Sequence, residues 1–584
     1  MKRPQPKRTP TTIAAWLPWL LLLLLFLALP GMVEGYVLRT FTVFYLYLLL
    51  AVGLTVIVNY AGLLNLGFIA FFGVGAYTYA VLNREFGLPF FAALPLGAVA
   101  AATLGFVIGF PTLRVRGDYL ALVTLGFGEI VRIILLNIWG PHGIAGISPP
   151  APANLIGGGE NFAVLFYWVS LAPVPIALLV LHRIDRSRVA CRWFALRDNE
   201  TAAKACGINP FRSLLLAAVI GTVFAGVAGV IFAGVQRYVS PASFVLDESI
   251  LVLCIVVIAG GRSLWRLLLA TALLTFLPEI LRGMADYRML IFGAALAAYV
   301  LFEERWRTRA RPTPKMDQPA TPNVPDAGAP HELPRFLASP SAATSVRLEI
   351  RNLSKQFDGV AALDGISIAL DFDRSIIGLI GPNGAGKTTL FNCISGEVRP
   401  SSGEIVFPGL PARHLPHHAA RSGIGRTFQT PNLFQSMSVR ENVVMGAISG
   451  RLPLPEEQID ELLVHCGLSR VADSGVAALP LGTQRLIELA RAVALQPRLL
   501  LLDEIAAGLS TSEKQALTDT IRRLAKDGHL NFLIVEHDMD FILPLAEHII
   551  VLDAGRLLAQ GSPREISNDP AVINAYLGGH HAAA

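Results

Sequence analysis

Charged residues are scarce, at 16% of the 584-residue chain against an apolar fraction of 53%. Soluble globular proteins carry about 25%. With a mean hydropathy of +0.53, this composition excludes a disordered chain and a coiled coil. Cysteine is also sparse. The five residues (Cys191, Cys206, Cys254, Cys393 and Cys466) are scattered, odd in number and without C-x-x-C spacing. That pattern indicates neither a disulfide framework nor a zinc site and leaves free thiols as the reading. Basic stripes on a soluble surface are missing too. The net charge of +5 comes from Lys and Arg beside apolar runs, which suits a membrane edge and its lipid, and no nucleic-acid partner is expected.

The apolar residues are unevenly placed. Up to about Phe302 the chain is mostly apolar runs, and from about Val346 it alternates short strands with helices. This predicts a polytopic α-helical membrane domain over 1–310, a linker over 311–345 and an α/β P-loop domain over 346–580. A helix needs about 20 apolar residues to cross the hydrocarbon core. Candidate spans lie near 13–30, 36–58, 63–82, 89–111, 119–139, 162–182, 213–235, 248–261, 264–281 and 287–303, about ten in all. A tight break at Asn59–Gly62 leaves room for a re-entrant or broken helix. The basic start followed by an apolar run also has the build of a signal peptide, but without a clear small-x-small site an uncleaved first helix is favoured.

Orientation follows from Lys and Arg in the short loops. With the N-terminus inside, the inner side holds Lys2, Arg3, Lys7, Arg8, Arg114, Arg116, the cluster from Arg183 to Arg212, Arg262, Arg266 and the basic tail from Arg305 to Arg311. The outer side receives Arg39, Arg84, Arg237, Arg282 and Arg288, and 140–161 has no Lys or Arg at all. An even span count then leaves both ends in the cytoplasm. Two features stand out within this half. Glu129 and Arg132, three apart on one helix, are expected as a structural pair facing the bundle interior rather than a substrate site. The loop 183–212 contains a helical stretch Asn199–Cys206 ended by Gly207 and Pro210. It fits a solvated basic loop and a helix docked on a soluble partner equally well.

The linker contains eight prolines between Arg311 and Thr344 and few large apolar residues. It cannot bury a core of its own and favours extended conformations, with a reach on the order of 100 Å.

The soluble half carries the chemistry. Strand Ser375–Ile380 runs into Gly381-Pro382-Asn383-Gly384-Ala385-Gly386-Lys387-Thr388-Thr389 and a helix from Leu390, which is GxxxxGK[ST] in its strand–loop–helix setting. The glycines let backbone N–H groups curl around phosphate oxygens. Lys387 supplies a charge for the β/γ-phosphates, and Thr388 offers a hydroxyl to Mg²⁺. A second strand, Leu499–Leu502, delivers Asp503 and Glu504 to its C-terminal end, where open α/β sheets bind ligands. Asp503 is placed to hold Mg²⁺ through water, and Glu504 to polarise the attacking water. A third strand, Phe532–Val535, ends at Glu536-His537 and puts an imidazole near the γ-phosphate.

These elements, in this order, resemble the nucleotide-binding subunit of an ABC transporter over 346–578. By that resemblance Gln429 in GRTFQTPNLF is the Q-loop glutamine, touching Mg²⁺ and relaying to the membrane domain, and Phe357 stacks on adenine. Leu479–Arg485, with Gly482, occupies the signature position, which serves the nucleotide of the opposite subunit. LLLLDEIAAGLS, VEHDMDFI and SNDPAVINAYLG (567–578) resemble the LivG-type ATPases of branched-chain amino-acid importers. NYAGLLNLGFIAFFGVGAYTYAVL (59–82), LRVRGDYLALVTLGFGEIVR (113–132), ALRDNETAAKACGIN (195–209), SPASFVLDESILVL (240–253) and GGRSLW (260–265) resemble the LivM-type permease of the same systems.

The resemblance implies a permease fused to its ATPase in the bacterial inner membrane, with ATP and Mg²⁺ as cofactors. It also implies a second permease, a second ATPase and a periplasmic binding protein as partners, and 195–214 as the coupling segment around Gln429. Import of Leu, Ile or Val is the expected function, with urea, short amides or other amino acids as alternatives. A membrane-anchored regulatory ATPase is a reading of another class, disfavoured by the many spans and short outer loops. The sequence departs from the family pattern at Pro480, Thr483, Ile505 and Ser510. These departures bear on the site completed by this signature and leave Lys387, Glu504 and His537 in place for the chain's own site.

Overall fold

The structure, a computed structural model, describes residues 19–280 except 20, 21, 23, 116 and 151–158, then 293–294, 334–338, and 346–577 except 374, 451–453 and 527–529. Half of the expected 13–30 span, most of the 287–303 span and most of the 311–345 linker lie outside the described residues. The chain divides into two units, Met1–Trp193 with Leu214–Arg311, and Phe194–Ser213 with Pro312–Ala584.

Along the first unit and the loop that leaves it run α1 (Gly35–Thr55, extended by a π-turn Val56–Tyr60), α2 (Ile69–Phe86), α3 (Phe90–Thr112), α4 (Asp118–Trp139), α5 (Gly159–Leu171), α6 (Pro173–Asp185), α7 (Arg188–Asp198), α8 (Glu200–Ala205), α9 (Pro210–Gln236), α10 (Leu246–Ala259) and α11 (Leu264–Ile280). Strands β1 (Ile144–Ala145) and β2 (Tyr238–Val239) pair antiparallel. Six stretches among the described residues are long and apolar enough to cross a membrane: Gly35–Tyr60, Phe90–Thr112, Tyr119–Trp139, Phe162–Asp185, Pro210–Gln236 and Pro241–Ala259. Each falls on an expected span.

The expected span at 63–82 does not form as read, for a local reason. Residues 61–68 are non-helical, so the apolar run Leu63–Phe68 is spent on a break and α2 reaches Asn83-Arg84-Glu85 at its end. The break is held by side chains, because backbone at membrane depth must be satisfied internally. Leu66 N–H donates to Thr124 Oγ1 (3.1 Å) and Ile69 N–H to Ser249 Oγ (3.1 Å). Small residues bring α2 and α9 together: a Cβ on Gly75 would stand 2.3 Å from Gly226 O, and one on Gly229 would stand 2.1 Å from Phe72 O. Backbone contact of this kind is how membrane helices pack.

Glu129 and Arg132 do form a pair, at 2.5 Å, but it does not face the interior of this bundle. Their side chains are 49% and 26% exposed. The i, i+3 spacing fixes the pairing, while the outward direction is set by Thr124 and Gly128, which turn the other face of α4 onto the break at Gly67.

The second unit is built on two sheets. Strands β3 (Val346–Phe357), β4 (Val360–Phe372) and β6 (Ser402–Val406) form an antiparallel sheet in the order β4-β3-β6. The larger sheet runs β11-β10-β5-β9-β8-β7, from β5 (Ile376–Ile380), β7 (Ile424–Arg426), β8 (Leu499–Asp503), β9 (Asn531–Val535), β10 (His548–Asp553) and β11 (Arg556–Gly561), parallel throughout except for β11. β5, β8 and β9 are buried on both faces, as their unbroken apolar runs require. Around them lie α12 (Lys387–Ile394), α13 (Pro416–Ser422), α14 (Val439–Ser449), α15 (Glu456–His465), α16 (Leu481–Ala494) and α17 (Thr511–Lys526). The linker is not wholly free of this core: Leu337, 4% exposed, packs into it, and Arg335 N–H donates to Glu461 Oε2 (3.0 Å).

Candidate functional site

Three adjacent parallel strands, β5, β9 and β8, end on the same side of the larger sheet and deliver the expected residues to one place. Beyond β5 the loop 381–386 turns sharply. Gly381 and Gly386 have φ of 150° and 95°, and a Cβ there would strike Leu552 O at 2.2 Å and Ala362 O at 2.5 Å, so both positions demand glycine. Gly384, also at positive φ, opens onto free space. Pro382 and Asn383 complete the turn, with Ala385 N–H donating to Pro382 O (3.2 Å). Lys387 begins α12 and is 7% exposed. Its Nζ donates to Gly381 O (2.7 Å) and Pro382 O (3.0 Å). Burial pulls this ammonium below the usual lysine value, against the opposing pull of Glu504 and Asp503. The first-turn amides of α12 have no partner within the helix and aim at the loop, a ready anion cradle.

At the end of β8, Glu504 has a positive φ of 46°, and its N–H donates to Val535 O (2.9 Å). That turn separates the two carboxylates. Asp503 stays buried, 3% exposed, beside the Arg426 guanidinium at 3.4 Å. Its pKa is raised by burial, with Arg426 opposing. Glu504 points outward, accepts from Gln429 Nε2 (2.7 Å) and lies 4.0 Å from His537 Nδ1. Gln429, Glu504 and His537 therefore meet as the sequence reading expects. Glu536, 0% exposed, turns the other way and accepts from Ala506 N–H (2.8 Å). Thr388 and Thr389 lie in the first turn of α12, Thr388 exposed. The hydroxyl of Thr388, the amide oxygen of Gln429 and the carboxylate of Asp503 are all hard oxygen donors, a set that fits Mg²⁺.

Two expected residues are not in this cluster. Phe357 sits at the tip of the β3–β4 hairpin, 44% exposed, with Lys355 Nζ 4.7 Å from its ring centre. Gly482 packs in the first turn of α16, where a Cβ would strike Glu513 Oε1 at 2.3 Å.

The structure adds residues the sequence did not announce. Arg426 holds Asp503 and also donates to Ser395 Oγ (2.7 Å). On α16, Arg485, Glu488 and Arg491 form a buried charged row with exposures of 2%, 0% and 3%. Arg485 donates to Phe428 O (2.7 Å) and Gln429 O (2.5 Å), Arg491 to Asn432 O (2.7 Å), and Glu488 accepts from Asn432 N–H (3.2 Å). Burial pushes Glu488 up to about 7, against both arginines. The row spends its hydrogen bonds on the backbone of 428–432 and so fixes Gln429. Its i, i+3, i+6 spacing was the available signal.

Residues 194–213 belong to this unit and settle the loop reading in favour of docking. Asn199 caps α8 through Oδ1, accepting from Ala202 N–H (2.9 Å), while its Nδ2 donates to Asn432 Oδ1 (3.0 Å). Asp198 Oδ2 accepts from Ser436 N–H (2.7 Å), and Arg421 Nε donates to Gly207 O (3.1 Å). The segment thus contacts both flanks of the loop that carries Gln429.

Asn209 Nδ2 lies 3.1 Å from His417 Nε2, while its Oδ1 accepts from Arg212 N–H, so the imidazole must accept and be neutral. Burial lowers His417 from 6.5 to about 4, aided by the charges of His418, Arg421, Arg212 and Lys204. The docked form binds fewer protons than the released form between these values. The share of this lowering that comes from the segment's own Arg212 and Lys204 and from its cover is lost on release, so the docked form is favoured above pH 6.5 and weakens as the pH drops towards 4. Amide exchange at 199–209, corrected for intrinsic rates, should rise over that window in the wild type and lose the trend in His417→Gln. A flat wild-type profile refutes the assignment.

Known proteins are similar to this chain along both halves. The family described as branched-chain amino acid transport system / permease component matches residues 36–300, the ABC transporter family matches 363–507, and the branched-chain amino acid ATP-binding cassette transporter family matches 556–582. The high-affinity branched-chain amino acid transport system permease protein LivM of Escherichia coli is 40% identical over 305 residues, 48% of this chain and 72% of that protein. The high-affinity branched-chain amino acid transport ATP-binding protein BraF of Pseudomonas aeruginosa is 36% identical over 249 residues, 40% of this chain and 97% of that protein. LivG of Escherichia coli is 37% identical over 253 residues, with the same two coverages. Among solved structures, a nucleotide-free ATP-binding cassette from an ABC transporter aligns at 30% identity over 40% of this chain and 99% of its own, with a TM-score of 0.36. The chain belongs to the branched-chain amino-acid ABC transporter family, a membrane protein that carries a permease component and a cytoplasmic, ATP-hydrolysing cassette in one polypeptide.

Proposed function

We propose that this chain is one permease half and one ATPase half of a binding-protein-dependent importer that takes up leucine, isoleucine and valine across the bacterial inner membrane. The observation that carries the reading is the presence, in one chain, of halves similar to LivM and to BraF or LivG. The partners are a second permease, a second ATPase and a periplasmic binding protein. The domain limits are 1–310, 311–345 and 346–580, with about ten spans.

In the mechanism that follows, ATP lies on the 381–389 loop with Lys387 at its β/γ-phosphates and adenine against Phe357. Thr388, Gln429 and, through water, Asp503 would hold Mg²⁺, which would supply charge stabilisation. Glu504 orients the attacking water and takes its proton, while His537 reaches the γ-phosphate. Gly482 serves the partner's nucleotide. Asn432, shared by the α16 charged row and Asn199, ties the docked segment to Gln429.

The test is ATP-driven uptake of labelled leucine, isoleucine and valine into proteoliposomes holding this chain, its partner subunits and the binding protein. Uptake above an ATP-free control is expected for all three. ATP hydrolysis without uptake of any would overturn the amino-acid assignment.

A further inference from the structure

The mechanism above leaves Glu129 and Arg132 without a task, and their setting is unusual. The candidate span Tyr119–Trp139 places Glu129 ten residues from either end (129 − 119 and 139 − 129), at mid-depth of the helix. Arg132 Nε donates to both carboxylate oxygens (3.0 and 2.9 Å) and Nη2 to Oε1 (2.5 Å). The pair is nonetheless open, at 49% and 26% exposure. Among the described residues, neither side chain bonds to a third. Ionised groups at this depth are expensive against hydrocarbon and mark water-lined passages.

The surroundings narrow the ligand. Leu122, Ile130 and Ile133 are 62%, 50% and 44% exposed on the same stripe of α4. Gly126, one turn before Glu129, leaves a notch, since a Cβ there would meet nothing within 4 Å. Opposite charges in contact, among exposed aliphatic side chains and beside the open gap a glycine leaves in their stripe, complement a molecule with adjacent ammonium and carboxylate groups and an aliphatic side chain. Arg132 Nη1 is not spent on Glu129, and a carboxylate has about four lone-pair sites, so the pair can open its outer edge to a second pair of charges.

We infer that Glu129 and Arg132 are the head-group site for a zwitterionic aliphatic amino acid in transit, with ammonium on Glu129, carboxylate on Arg132 and the side chain in the notch at Gly126. This rests on the import reading above.

In the assembled transporter in proteoliposomes, Glu129→Cys is treated with a small charged methanethiosulfonate and followed by peptide mass. Modification is expected, slowed at least fivefold by leucine-loaded binding protein with ATP. Glu129→Gln should lower leucine uptake at least tenfold. No modification of the assembled complex means that lipid or the second permease covers this face, and modification that leucine does not slow means that no amino acid passes it; either result overturns the inference. Should the cysteine variant fail to assemble, Gly126→Val fills the notch without touching the charges. It should then depress leucine uptake at least fivefold more than valine uptake, and an unchanged ratio refutes the site. A wild type that takes up none of the three amino acids sinks the import reading instead, while the labelling still reports whether the face is wet.

Discussion

Glu504→Gln is expected to lower ATP turnover in the assembled transporter by about 10²–10³-fold while leaving nucleotide binding intact, within the range general-base removal produces. The substitution keeps the shape. The amide oxygen of glutamine can still accept from Gln429 Nε2, which holds Glu504 Oε2 at 2.7 Å, and the strained turn at φ 46° is unchanged. What disappears is a base able to take the water proton. Asp503 cannot replace it, because it is 3% exposed and faces Arg426. His537 lies 4.0 Å away and is assigned to the γ-phosphate in the proposed mechanism. Equilibrium ATP binding and single-turnover hydrolysis on the same preparation separate the two effects. Turnover within fivefold of wild type, with binding preserved, would remove Glu504 from the base role.

The nucleotide site was legible because its parts are local. A glycine loop needs only its own φ angles and the strand before it, and strands of unbroken leucine or β-branched residues declare the buried sheet that aligns 381–387, 503–504 and 537. Arg426, Arg485, Glu488 and Arg491 were illegible for the opposite reason. Charges on an amphipathic helix ordinarily read as a solvated face, and only the long-range closure of 428–432 over α16 shows that the three on α16 are buried and spend their bonds on backbone, while Arg426, at the end of β7, is committed to the side chains of Ser395 and Asp503, 31 and 77 residues away. Asn199 was readable as a helix cap, but its second bond, to Asn432, joins residues 233 apart. In the membrane half, apolar runs located the six long stretches. The break expected at Asn59–Gly62 is there, but its extension to 68 was missed because Leu63, Leu64, Leu66 and Phe68 are as apolar as the residues of a span. The spacing of Glu129 and Arg132 gave their pairing, but which face α4 buries is decided by Gly67 and Thr124, which no periodicity encodes.

Lys387→Ala should weaken Mg²⁺-ATP binding to the full-length chain by about 10²-fold or more, from the loss of charge-assisted bonds worth about 1.5–3 kcal/mol each. The lysine is buried, and its ammonium bonds to Gly381 O and Pro382 O. Those carbonyls keep the charge at the mouth of the loop and offset part of its desolvation, the main cause lowering its pKa. In the alanine variant both carbonyls lose their donor, so the cost of leaving them unpaired adds to the lost attraction. The first-turn amides of α12 remain, and binding should weaken rather than vanish. Lys387→Met, which retains the apolar stem, separates charge from packing: it should bind as weakly as alanine while melting closer to the wild type. Calorimetric titration of the full-length chain reads this without the partner subunits, and an affinity within threefold of wild type for either variant would place the phosphate contact elsewhere on the loop.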